Sequence, residues 1–167
     1  TIKMSKPRVL DLFSGAGGFS LGFELAGCKI IGDIEHDKWA ADTFQHNHIG
    51  AKMLLGDIES FDNEYIKQEI PALDMIIGGP PCQGFSVCLK NAGDPKDPRN
   101  SLFTEYVRIA KLYKPTVLVL ENVPNIIKAK TKSGEKVVEI IQRKFEQIGY
   151  HVYSTVLTAS DYGVPQM

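Results

Sequence analysis

Short apolar runs alternate along this chain with segments of helical period. Arg8–Phe13 reads as a strand running into glycines, and Phe19–Ala26 as a helix stopped by Gly27. Cys28–Ile34 is a second strand, Asp37–Asn47 a helix with Asp37 as N-cap, and Ala51–Leu55 a third strand. Asp62–Ile70 is a short polar helix before a fourth strand, Leu73–Ile77. Gln83–Asn100 shows no period, and a loop of that length inside a domain is commonly functional. Ser101–Tyr113 is an amphipathic helix, and Thr116–Leu120 an apolar strand suited to the middle of a parallel sheet. Gly134–Ile148 is a helix closed by Gly149, and Tyr150–Leu157 a last strand. Such alternation predicts an α/β fold, a Rossmann-like, doubly wound, mostly parallel sheet.

Composition narrows the class. The chain has 167 residues, 43% hydrophobic and 23% charged, with a formal net charge of -1. That is ordinary for a soluble globular domain and carries no general attraction to nucleic acid. No apolar run approaches a membrane span, and the first residues lack a signal-peptide core, so a cytoplasmic protein without a membrane partner is expected. The three cysteines, Cys28, Cys82 and Cys88, form no Cys-x-x-Cys pair, so neither a disulfide framework nor a metal site is expected. Cys28 reads as core.

Two groups of residues carry chemistry. The first is Asp11-Leu-Phe13-Ser-Gly15-Ala16-Gly17-Gly18, a glycine turn between the first strand and the first helix. Glu35 follows 20 positions after Gly15, the spacing at which a carboxylate meets ribose hydroxyls. Ser20 stands where a dinucleotide fingerprint needs its third glycine, so the turn points to an adenosine cofactor without a pyrophosphate. Asp57 suits an adenine amino group, and Ile58 suits packing on the ring or a backbone N–H. His36 either stacks on adenine or is a plain surface histidine. The plainer reading of the glycines is a tight strand–helix turn; Glu35 and Asp57 at successive strand ends argue against it.

The second group is Gly78-Gly-Pro80-Pro-Cys82-Gln83-Gly-Phe-Ser86, after the fourth strand, with Glu121-Asn122-Val-Pro after the next. The prolines stiffen the approach to Cys82. A thiol and a carboxylic acid at two strand ends on one edge make a nucleophile and an acid facing one space. Alone, Cys82 would more often be structural and Glu121 a cap; their pairing beside a cofactor turn reverses that.

These motifs, with Asp161-Tyr-Gly-Val-Pro-Gln166, closely resemble those of the cytosine-5 DNA methyltransferases, in order and spacing, over nearly the whole chain. The resemblance implies S-adenosylmethionine as cofactor, S-adenosylhomocysteine as product and cytosine in duplex DNA as substrate. It implies that Phe13, Ala16, Gly17 and Gly18 line the cofactor, Glu35 holds its ribose and His36 lies on its adenine. It further implies that Asp57 and Ile58 read the adenine edge, and that Pro80 and Leu102 close the site. Cys82 would attack carbon 6 of a flipped-out cytosine and Glu121 would stabilise the charge at ring N3. Extruding the base costs roughly a few kcal/mol. The loop Gln83–Arg99 would be the lid. Gln83, Ser86, Arg99 and Asn122 would meet the DNA, with Lys90 and Lys96 near phosphates.

Relatives continue past Pro165-Gln166 with an arginine-containing stretch, a target-recognition domain and closing segments. Residues 1–167 therefore read as the N-terminal portion of a catalytic domain. They would belong to a longer chain, a split enzyme with a second subunit, or a degenerate copy, and would not methylate DNA efficiently alone. A bacterial restriction–modification setting, with activity at the nucleoid, follows from the same resemblance. Two other functions fit the residues: a transfer-RNA cytosine-5 methyltransferase, and a non-catalytic S-adenosylmethionine-binding regulatory module. A dehydrogenase fits worse, because the glycine pattern is wrong and Cys82 and Glu121 would be idle.

Overall fold

The computed structural model describes residues 5–81, 101–131 and 134–166. Five strands, β1 (Arg8–Leu12), β2 (Lys29–Glu35), β3 (Lys52–Leu55), β4 (Met75–Gly78) and β5 (Val117–Leu120), pair in parallel in the order β3-β2-β1-β4-β5. The helices between and after them are α1 (Gly18–Leu25), α2 (Lys38–Asn47), α3 (Asn63–Glu69), α4 (Ser101–Tyr113) and α5 (Val137–Glu146). Among the described residues no helix is long and apolar enough to cross a membrane.

Strand alternation sorts the core into two layers. Leu10, Leu12, Ile34 and Ile76 face Ile66 of α3, Tyr106 and Ile109 of α4, and Phe145 of α5. Val9, Ile30 and Ile77 face the other way, against Phe19 and Phe23 of α1 and Phe44 of α2. The order runs outward from β1 in both directions, so crossovers of one hand place their helices on opposite faces. The crevice of such a sheet opens between β1 and β4, beyond their carboxyl ends.

Local chemistry sets the boundaries. Asp37 caps α2 by accepting from Ala40 N at 2.8 Å, and Asp62 caps α3 by accepting from Tyr65 N at 2.7 Å. Arg8 holds the start of β1 to β4, its Nη2 donating to Asp74 Oδ1 at 3.0 Å. That guanidinium, with Arg8 N–H, keeps the Asp74 carboxyl at about 2.

Four expectations are corrected. Tyr150–Leu157 forms no strand: a strand needs a ladder partner, and this segment has none among the described residues. It is pinned at one end, where Tyr150 donates to the Pro115 carbonyl at 2.6 Å, while Tyr153 is 95% exposed. The strand at Thr116–Leu120 is not central: β5 is the outer strand of the described sheet and only half-buried. The last helix begins at Val137 rather than Gly134, because Lys136 bridges back to Lys130 across a turn. Cys28 stands just before β2 and is half-buried, packing beside the second layer rather than inside it.

Candidate functional site

Register lines up the strand ends. Leu12 pairs with Ile34 on one side and Gly78 on the other, and Gly78 pairs with Leu120. The next residue of each strand therefore falls on one row at the mouth of the crevice: Glu35, Phe13, Gly79 and Glu121. The ladder continues through that row, with Phe13 N–H donating to Ile34 O and Glu121 N–H to Gly78 O, each at 3.0 Å.

On the β1–β2 side the chain turns sharply. Phe13 is in the left-handed region with φ 62, a strain that persists only where the surroundings impose it. Gly15 and Gly17 follow with φ 56 and 90, conformations that a glycine adopts at no steric cost. Three carboxylates grip the turn from below. Glu35 accepts from Gly15 N at 2.9 Å through Oε2, and from His36 N and Asp37 N at 2.8 Å through Oε1. Asp33 accepts from the Ser14 hydroxyl at 2.6 Å, and Asp11 from the Ser20 hydroxyl at 2.7 Å. Asp11 and Asp33 are register partners, almost fully buried, and among the described residues the second oxygen of each has no hydrogen-bond partner. Burial pushes Asp11 up to about 7 and Asp33 up to about 8, against the pull of the two serine hydroxyls.

The turn opens a space above this base. A Cβ on Gly15 or Gly18 would meet nothing within 4 Å. Glu35 Oε1 is filled by two N–H groups, but Oε2 takes one, and a carboxylate oxygen accepts two. A hydroxyl can therefore be received at Oε2, while the expectation of both ribose hydroxyls on Glu35 has less room than the sequence implies. Ala16 and Gly18 are exposed at the turn, and Gly17 is buried beneath it. His36 is 78% exposed with Nδ1 3.0 Å from Glu35 Oε1. Asp57 is exposed and accepts from Glu59 N at 3.0 Å, capping a single helical turn. Ile58 is buried in the larger core layer, against which Phe13 and Leu102 also pack.

On the β4–β5 side, Glu121 and Asn122 are tied to the segment that leads to Cys82. A Cβ on Gly79 would come within 2.9 Å of Glu121 Oε2, so the carboxylate lies directly over that glycine. Asn122 Nδ2 donates to the carbonyl of buried Pro80 at 3.0 Å. Cys82, Gln83, Ser86 and Arg99 lie outside the described residues.

Sequence reasoning gave no site role to Asp33, Ser14 or His48, and read Ser20 only as the residue in the place of a third glycine. The signal for Asp33 was the Asp-x-Glu alternation at the end of β2, which puts two carboxylates on one face. Among the described residues no group of three or more His, Cys, Asp or Glu could hold a metal ion.

Comparison with known proteins places the chain in a family. Residues 7–167 match the model of the C-5 cytosine-specific DNA methylases, and the chain belongs to that family. It is 47% identical to the type II methyltransferase M.DdeI of Desulfomicrobium norvegicum, over 95% of this chain and 38% of the relative. It is 43% identical to M.FnuDI of Fusobacterium nucleatum, over 95% of this chain and 44% of the relative. The chain thus spans less than half the length of these relatives. Among solved structures, it matches a candidate DNA modification methyltransferase encoded within an E. coli prophage. That match has a TM-score of 0.69 and 31% identity, covering 85% of this chain and 38% of the other. The S. pombe Dnmt2 methyltransferase shares the fold, with a TM-score of 0.73 at 22% identity over 96% of this chain and 47% of that one.

Proposed function

We propose that this chain is the cofactor-binding, N-terminal portion of the catalytic domain of an enzyme that methylates carbon 5 of cytosine in DNA. The observation that supports the reading is the row Glu35–Phe13–Gly79–Glu121, in which the glycine turn and the Glu121 carboxylate stand at neighbouring strand ends of one sheet. The DNA substrate rests on family membership and on the relatives' being type II methyltransferases.

The residues present fit S-adenosylmethionine. Phe13, Ala16, Gly17 and Gly18 would surround it, Glu35 Oε2 would receive a ribose hydroxyl, and Asp57 and Ile58 would flank the adenine with His36. Pro80 and Leu102 would close the far side. When bound, the cofactor supplies an electrophilic methyl group on a sulfonium.

Carbon 5 of cytosine is too weak a nucleophile to take that methyl unaided. Addition of the Cys82 thiolate to carbon 6 would make it nucleophilic, and Glu121 at ring N3 would hold the charge that develops. Loss of the carbon-5 proton and expulsion of the thiolate would then restore the enzyme. Asn122, fixed on the Pro80 carbonyl, would keep the Cys82 segment in register with Glu121. Gln83, Ser86 and Arg99 would contact the DNA. The rest of the enzyme, in the same chain or a second subunit, would supply target recognition.

The test is covalent trapping. Full-length protein, S-adenosylmethionine and a duplex carrying 5-fluorocytosine should give an adduct on Cys82, since fluorine is not eliminated. Cys82→Ala should give none, and Glu121→Gln should slow adduct formation at least about a hundredfold. Cofactor binding with no adduct would leave a regulatory module. Methyl incorporation into transfer RNA rather than duplex DNA would move the substrate, not the chemistry.

A further inference from the structure

His48 is far from the glycine turn in sequence but touches it in space. It follows α2, is 3% exposed, and packs its ring on Phe44 with centroids 4.4 Å apart. Nδ1 lies 2.9 Å from Glu24 Oε2 on α1, and Nε2 lies 3.1 Å from the Gly17 carbonyl oxygen. Both facing atoms are acceptors: a carboxylate and a backbone carbonyl. A neutral imidazole has one N–H and would oppose lone pairs on one of its two sides. The contacts are satisfied together when two protons are shared along Glu24, His48 and Gly17.

The carbonyl at the end of this chain is structurally placed. It also accepts from Leu21 N at 2.9 Å, the first turn of α1, and Gly17 is the left-handed cap with φ 90. A Cβ on Gly17 would come within 2.4 Å of His48 Nε2 and 2.8 Å of the Phe44 ring. Ring and turn are in direct contact, so the position of one fixes the position of the other.

We propose that His48 is a positioning residue for the cofactor turn, its ring bridging Glu24 and the Gly17 carbonyl and holding the turn in its binding conformation. This rests on the reading that the turn holds S-adenosylmethionine. Glu24 is the charged group against the ring among the described residues. The Asp11, Asp33 and Glu35 carboxylates act on other parts of the turn, through Ser20, Ser14 and Gly15.

The experiment measures the Kd for S-adenosylmethionine in full-length protein and in two variants. His48→Phe keeps the packing on Phe44 and lacks both ring nitrogens. His48→Gln offers an amide N–H near the Nε2 position. His48→Phe should bind about tenfold more weakly. His48→Gln should stay within roughly threefold of the unsubstituted protein. Equal losses in both variants would mean packing alone and would overturn the proposal, as would an unaffected Kd in His48→Phe. Unsubstituted protein that binds no S-adenosylmethionine would instead overturn the methyltransferase reading, and this proposal with it.

Discussion

At the scale of the residue, Gly79 decides where Glu121 stands. Its backbone is compatible with alanine, but the added methyl would meet the Glu121 carboxylate at 2.9 Å. The carboxylate is the free end of a flexible, exposed side chain, so it can move at little cost to the fold. Gly79→Ala should leave Tm within about 2 °C. It should lower methyl transfer by about tenfold or more, since a displaced acid no longer meets the charge it stabilises. A thermal melt and a methyl-incorporation assay on the same sample check both halves. Glu35 and Glu121 could be picked from the sequence because their spacing from strand ends is regular, and Asn122 only through the family motif. Asp33 left only the Asp-x-Glu alternation as a signal, its burial being set by the neighbouring strand, and His48 left none, since its contact with Gly17 joins residues 31 apart.

At the scale of the element, β4 is tightly confined between its neighbours. A Cβ on Gly78 would come within 2.5 Å of the Leu12 backbone carbonyl and 3.2 Å of the Tyr106 ring. Neither neighbour is a flexible side-chain end, so Gly78→Ala should cost about 2–4 kcal/mol. The Tyr106 hydroxyl, buried on α4, lies within 3.1 Å of the Ile76 carbonyl and 3.0 Å of the Val119 carbonyl, and so straps α4 across β4 and β5. Tyr106→Phe leaves those carbonyls without that donor and should cost about 1–2 kcal/mol. Urea unfolding of each variant measures both. Most elements were legible as hydrophobic periods, and Asp37 holds its helix as the cap that its position implies; Asp62 also caps its helix, a role the sequence reading did not give it. The strand at Tyr150–Leu157 was not, because alternation records a tendency and a partner strand is needed to realise it.

At the scale of the whole molecule, the buried carboxylates beneath the turn set a pH dependence. Asp11 and Asp33 rise to about 7 and about 8, from an ordinary value of 3.8 in the unfolded chain. Between those values the folded state holds protons that the unfolded state has released, so stability falls as pH rises. The contribution is fully present below about 4 and exhausted above about 8. Asp74, held at about 2 by Arg8, acts in the opposite sense and only in acid, and its exposure keeps that effect small. Unfolding free energy should therefore be lower at pH 8.5 than at pH 6 by on the order of 2–4 kcal/mol, and Asp33→Asn should remove roughly half of that slope. Urea titrations at the two pH values check this, and a rise in stability toward pH 8.5 would contradict it.

The sequence by itself determined the alternation of strands and helices, the two sheet faces, the glycine turn and the motifs that mark the family. Each of these is local: a period, a cap, or a spacing within one strand–turn–helix unit. Tertiary structure alone decided the sheet order, and with it the single row that holds Glu35, Phe13, Gly79 and Glu121. It also decided that β5 is the outer strand of the described sheet, that Glu35 spends most of its hydrogen-bonding capacity on the backbone, and that His48 meets the Gly17 carbonyl. The physical reason is the same in each case. Strand register and helix packing join residues distant along the chain, and whether a polar group is buried, paired or free to bind depends on those joins.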